Sequence, residues 1–171
     1  MRMLFALDRQ DYAGCTHVRR RDSARAVIIR GGSVAMVYSR KYDYYKFPGG
    51  GLEPGESPVE ALRRETMEES GLRIIPASIR EYGFVHRIQK SMTDETECWV
   101  QDNYNYLCDA EEAVLSQKLD SYEEEEGYTL VFADPMTVIR TNRRPKQTPY
   151  DPVMFEREAR VLECLMQENY L

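Results

Sequence analysis

The sequence predicts an α/β protein, a mixed β-sheet sandwiched between helices on two faces. Three observations carry that prediction. Runs rich in β-branched and aromatic residues, such as Ala24–Arg30, Ser33–Ser39 and Cys98–Cys108, read as strands. A strongly capped helix, Ser57–Ser70, interrupts them, and a second helix with an apolar stripe closes the chain at about 152–169. The length, 171 residues, suffices for a sizeable core, and 1–171 reads as one domain without repeats or a low-complexity linker.

In order, Met1–Leu7 reads as an edge strand and Asp8–Ser23 as an irregular polar stretch carrying Arg19, Arg20 and Arg21. That arginine run is either solvated surface or a phosphate contact. Ala24–Arg30 and Ser33–Ser39 flank Gly31-Gly32, a hairpin turn. Arg40–Phe47 leads into a glycine-rich loop, Gly49–Gly55, whose entry Pro48 stiffens. After the central helix, Leu72–Ile75 is a short apolar run broken by Pro76. Tyr82–Ile88 alternates and contains His86, read as a hydrogen-bonded filler, and Lys90–Thr96 is a turn. Within Cys98–Cys108, Val100, Tyr104 and Tyr106 share one face. Trp99, Gln101, Asn103 and Asn105 share the other, which either lines a ligand site or meets solvent. Ala110–Glu126 reads as a loop with a short helix ending at Gly127, and Tyr128–Ala133 as a strand. Asp134-Pro135 and Asp151-Pro152 each begin a helix. The last helix aligns Phe155, Ala159, Leu162 and Met166, a stripe that packs on the sheet, with a homodimer contact as the second reading.

Composition sets limits. Lys plus Arg is 23 and Asp plus Glu is 29, a formal charge of −6, which argues against a duplex nucleic-acid binder but leaves room for a small anionic substrate. Cys15, Cys98, Cys108 and Cys164 lie far apart without a CxxC pair, as free thiols of a reducing compartment do. No apolar run approaches a membrane span, and the N-terminal apolar stretch is too short for a signal peptide. A cytoplasmic protein is expected.

The chemistry concentrates in Gly49–Leu72, GGGLEPGESPVEALRRETMEESGL. Ser57, Pro58 and Glu60 form a helix start with a capping box, and Gly71 is the stop. At about 100° per residue, Glu65, Glu68 and Glu69 fall on one arc, with Val59, Leu62 and Thr66 clustered roughly 90° away. Three carboxylates on one face repel, so a positive group belongs among them, and hard oxygen ligands suit Mg²⁺ or Mn²⁺.

Gly50, five residues, Glu56, seven residues, then Arg64-Glu65-Thr66-Met67-Glu68-Glu69-Ser70-Gly71-Leu72 resembles the signature of the Nudix hydrolases. Every fixed polar or glycine position matches, and Thr66 alone departs, standing where the family more often has an aliphatic residue. The resemblance implies an α/β/α sandwich and hydrolysis of a pyrophosphate bond in a nucleoside diphosphate linked to another group, with Mg²⁺ (or Mn²⁺). It assigns metal coordination to the Gly49 carbonyl, Glu65, Glu68 and Glu69, with Glu65 a candidate base. Glu56 and Arg64 would brace loop and helix through an ion pair, while Gly50 and Gly71 are structural in the motif. A divalent ion would neutralise the anionic oxygens around phosphorus and lower the pKa of a water.

Two further expectations follow. An additional acidic ligand is sought in Glu123–Glu126, with Glu125 and Glu126 preferred as nearest the strand. Tyr44, Tyr45, Trp99 and Tyr104 are candidates for stacking on a nucleobase. The rival function is a non-catalytic Nudix-like nucleotide-binding or regulatory domain, whose mark would be lost acidic positions; none is lost. A P-loop is excluded because no Lys-Ser or Lys-Thr follows the glycines. Residues 86–90 hold neither the proline nor the tyrosine that marks some Nudix subfamilies, which leaves the nucleotide open.

Overall fold

Local signals set the helix ends, and strand pairing sets everything else. The computed structural model describes residues 1–171. In chain order the elements are β1 (Met3–Asp8), β2 (His17–Arg20), β3 (Ser23–Val27), β4 (Ile29–Arg30), β5 (Ser33–Ser39), β6 (Tyr44–Lys46), β7 (Gly49–Gly51), α1 (Pro58–Ser70), β8 (Leu72–Ile74), β9 (Arg80–Lys90), β10 (Glu97–Leu107), β11 (Ala110–Val114), α2 (Ser121–Glu126), β12 (Tyr128–Ala133), α3 (Pro135–Arg143) and α4 (Pro152–Gln167). No helix is long and apolar enough to cross a membrane.

The larger sheet runs β1-β9-β10-β3-β7, with β2 also on β10. It is mixed: β1 is parallel to β9, β10 is parallel to β2 and β3, and β9–β10 and β3–β7 are antiparallel. A second sheet runs β12-β5-β4, with β6 on β5, and β11 pairs with β8. Gly31 and Gly32 close the β4–β5 hairpin with φ of 55° and 78°, a type I′ signature that only residues tolerant of positive φ accept.

Side chains alternate between two cores. Ala24, Ala26, Ile28 and Ala35 pack with Ala61 and Leu62 of α1. Val27, Val34, Met36 and Phe47 pack with Val138 and Ile139 of α3 and Ala159, Val161, Leu162 and Leu165 of α4. Helices thus cover two opposite faces. The last stripe is spent largely inside the chain, since Phe155, Ala159 and Leu162 are buried while Met166 is half-buried.

Four local readings change. Val59 is exposed and Ala61 takes its place in the core, because α1 meets the sheet on a slightly rotated face. The glycine run opens as strand β7, its pairing with β3 outweighing the weak strand propensity of glycine. Residues 110–114, read as loop, form β11 against β8, and 17–20 form β2 against β10; both are edges with exposed side chains, so neither shows the alternation that marks a half-buried strand.

Candidate active site

Helix α1 is built as the sequence implies. Ser57 Oγ accepts the Glu60 N–H, and the Glu60 carboxylate accepts the Ser57 N–H at 2.8 Å. Gly71, at φ 72°, donates to Met67 O and ends the helix. The segment after β11 then lies over this end: Leu115 N–H donates to Gly71 O at 2.9 Å, Lys118 N–H to Glu68 O at 2.8 Å, and the Gln117 side chain to Glu69 O. Carbonyls that a helix end leaves without partners are thereby satisfied, and Lys118, Asp120 and Glu123 are brought opposite the helix.

Between them lies a cavity of about 500 Å³ whose wall includes Gly49, Gly50, Gly51, Glu65, Glu68 and Glu69. Each motif carboxylate has a cation. Arg64 donates to both oxygens of Glu56 at 2.9 and 2.8 Å, forming the brace between loop and helix, and also reaches Glu65 at 2.7 Å and Glu68 at 3.2 Å. Glu69, 2% exposed, accepts Lys46 Nζ at 2.5 Å and the Gly49 N–H at 3.1 Å. Burial pushes the Glu69 carboxyl up to about 7, against the pull of Lys46 and Arg25. The Gly49 carbonyl accepts from Arg25 Nη1, which also reaches Phe47 O at 3.2 Å.

The oxygen donors match a hard divalent cation in chemistry: carboxylates of Glu65, Glu68 and Glu69 face one cavity, and the Glu65 carboxylate rests against Gly50, where a Cβ would come within 2.2 Å of it. They are not drawn into a cluster of three or more about a single point, because Lys46, Arg25 and Arg64 hold the atoms in question.

The run Glu123–Glu126 divides. Glu123, 4% exposed, lines the cavity, with its carboxylate accepting the Asp120 N–H and the Tyr122 hydroxyl. Glu126 is buried too, but it faces Ser39, Tyr44 and Tyr150 hydroxyls rather than the cavity. Glu125 points outward to Lys41. Of the four, only Glu123 lines the cavity, and neither Glu125 nor Glu126, the two preferred from the sequence, reaches it.

The aromatic candidates separate similarly. Tyr44 and Trp99 line the cavity; Tyr44 is 1% exposed and bonded to Glu126 and Tyr128. Tyr45 lies outside it against Tyr38, ring centroids 4.7 Å apart. Tyr104 lies on the other face of β10, 6.1 Å from the Phe84 ring. Neither of these two lines the cavity. His86 bonds Asp102 at 2.7 Å, away from the cavity. The sequence reading missed Lys46, whose amine sits at the centre of the site, and Lys118. Lys46 is one step from Phe47-Pro48 in the strand entering the motif, and β6 alternation turns it inward.

Of the five basic residues on the wall, Arg21, Arg25 and Lys118 have no acidic partner, and Arg25 is taken up by the Phe47 and Gly49 carbonyls. The Arg21 guanidinium packs on Gly51, where a Cβ would come within 2.8 Å of Nε. The site thus sets a helix of carboxylates against a glycine strand, with cations on the same wall.

Residues 19–152 match the NUDIX domain, and the chain belongs to the Nudix family. Among solved structures it resembles a NUDIX hydrolase from Nitrosomonas europaea, 18% identical over 84% of this chain and 90% of that one, with a TM-score of 0.57. It also resembles the E. coli ORF135 protein, 17% identical over 89% and 94%, with a TM-score of 0.56. Those likenesses concern the fold. In sequence, 49 residues are 41% identical to an RNA pyrophosphohydrolase of Pectobacterium atrosepticum, a stretch of 28% of either chain.

Proposed function

We propose that the chain is a Mg²⁺- or Mn²⁺-dependent pyrophosphohydrolase acting on a nucleoside diphosphate linked to another group. The observation that carries this reading is the single cavity holding Glu65, Glu68, Glu69 and Glu123 together with the unpaired Arg21 and Lys118. The carboxylates would hold the cation, which supplies neutralising charge and acidifies water. Arg21 and Lys118 would bind outer phosphate oxygens and orient the anhydride, and Gly51 lets Arg21 approach closely. A motif glutamate, with Glu65 the first candidate, would accept the proton of the attacking water. The activity of the Pectobacterium relative agrees with this chemistry.

Arg25 and Lys46, seated on proposed ligand atoms, favour the second reading, a nucleotide-binding domain that does not turn over. One experiment separates them: a nucleotide panel with Mg²⁺, scored for released phosphate or pyrophosphate. The enzyme reading expects turnover that EDTA abolishes, and a fall of orders of magnitude in Glu68→Gln and Glu69→Gln with folding retained. Near-normal rates in both variants would refute it.

A further inference from the structure

Three cations of the cavity wall each have two seats, one on a proposed ligand atom and one beside it. Lys46 Nζ lies 2.5 Å from Glu69 Oε1 and 4.5 Å from the centroid of the Tyr128 ring. Arg25 Nη1 donates to the Gly49 carbonyl and, at 3.2 Å, to the Phe47 carbonyl. Arg64 repeats the pattern, with Nη1 on Glu65 and Glu68 and with Nε and Nη2 on Glu56. We propose that Lys46 and Arg25 are exchangeable counter-ions, which yield Glu69 and the Gly49 carbonyl to a divalent cation and then turn to an oxyanion in the same cavity. Metal and anion thereby favour each other's binding through two residues of this chain. The inference rests on the metal-dependent reading given above.

Exchange, rather than simple addition, follows from the geometry. Both Glu69 oxygens are engaged, Oε1 by Lys46 and Oε2 by the Gly49 N–H at 3.1 Å, on a buried residue. A divalent ion approaching that carboxylate meets an ammonium at hydrogen-bonding distance, and the two repel. Breaking a buried pair is costly when it leaves a charge without a partner. Here neither cation is left so. The face of Tyr128 holds an ammonium through its quadrupole, and Phe47 O keeps a bond to Arg25. Arg25 Nε, buried without an acceptor, is a further donor in hand. Both residues line the cavity, so an oxyanion drawn in by the metal supplies the acceptor each has given up.

A particular pattern of signs results. Lys46 opposes the metal when the metal comes alone. It does nothing for an anion that comes alone, because Glu69 holds it. It supports the anion once the metal is seated. A fixed positive charge would help the anion in both conditions, as Arg21 and Lys118 do, which have no acidic partner to leave.

The test is equilibrium dialysis of the intact chain with Mn²⁺, read by the EPR signal of the free ion, and with radiolabelled inorganic phosphate as the probe anion. In the parent, Mn²⁺ should tighten phosphate by about fivefold or more, and phosphate should tighten Mn²⁺ by the same factor, as linkage requires. Lys46→Met keeps the length of the buried stem. It should bind Mn²⁺ alone roughly tenfold tighter and phosphate alone as the parent does, yet bind phosphate several-fold more weakly when Mn²⁺ is present. Damage to the fold would instead weaken all three. Arg25→Met, at a half-buried residue, should shift each quantity in the same direction, and it carries the test if Lys46→Met does not fold. Mn²⁺ affinity unchanged in the folded variants, or phosphate weakened equally with and without Mn²⁺, would overturn the inference. A parent that binds no Mn²⁺ even with phosphate would sink the metal-dependent reading and the exchange with it. Coupling of the expected pattern without turnover on the nucleotide panel would support the exchange and sink the hydrolase reading alone.

Discussion

Gly49, Gly50 and Gly51 are adjacent and alike in sequence, yet alanine at each should do something different. At Gly49 a Cβ would lie 2.1 Å from the Ala24 carbonyl oxygen, a backbone atom of the paired strand, and φ is +131°. Neither the partner strand nor the dihedral can yield cheaply. Strained φ costs about 1–3 kcal/mol, and overpacking adds about 1–3 kcal/mol. A sum of roughly 2–6 kcal/mol lowers the Tm of a chain this size by about 5–20 °C. At Gly50 the Cβ would meet Glu65 carboxylate atoms at 2.2–2.7 Å, and the flexible side chain moves instead. Stability should hold within about 1 kcal/mol, while displacing the carboxylate by an ångström costs on the order of 10²-fold in kcat. At Gly51 the obstacle is the Arg21 guanidinium, at 2.8–3.2 Å. Losing one charge-assisted contact raises KM by roughly tenfold or more. Arg21→Ala should do the same, and the double variant little worse. Thermal melts and steady-state kinetics on the best substrate separate the three. If Gly49→Ala melts like the parent, or Gly50→Ala keeps its kcat, the close approaches described here do not govern the site.

Other predictions follow from the same packing. Glu123→Gln should lower kcat and raise the Mg²⁺ requirement while the exposed Glu125→Gln changes neither; equal rates in a Mg²⁺ titration of both would exclude Glu123 as a ligand. Lys46→Met strands a buried carboxylate at Glu69, so the metal-free protein should lose about 3–5 kcal/mol. Added Mg²⁺ should then raise its Tm more than that of the parent, and an equal rise would show that Lys46 and the cation do not compete for Glu69. Glu158, 1% exposed, pairs with Arg157 and accepts the Phe47 N–H at 3.2 Å ahead of the glycine strand. Glu158→Gln should therefore lower Tm by roughly 6–20 °C, taking about 3–5 kcal/mol for a broken buried pair. An unchanged melt would mean that α4 does not anchor this strand.

What the sequence determined alone was local. Ser57, Pro58, Glu60 and Gly71 specify α1 through caps that depend on residues at most a few positions apart, and its turn geometry aligns Glu65, Glu68 and Glu69 without reference to any other element. The hairpin at Gly31-Gly32, the α4 stripe and the two faces of β10 are local in the same sense, which is why Trp99 and Gln101 could be placed on one face, while the choice between ligand and solvent for that face stayed open. The Glu56–Arg64 brace also lay within the motif spacing. Partners distant along the chain were another matter. Lys46 meets Glu69 because β6 and α1 flank one cavity, Arg25 reaches the Gly49 carbonyl because β3 pairs with β7 in that register, and Arg21 settles on Gly51 beside it. Among four consecutive glutamates, only the seating of α2 against β12 turns Glu123 to the cavity and Glu126 to the tyrosines. A side-chain period fixes which residues share a face; which face meets which is decided by strand register and packing, and those are properties of the folded chain as a whole.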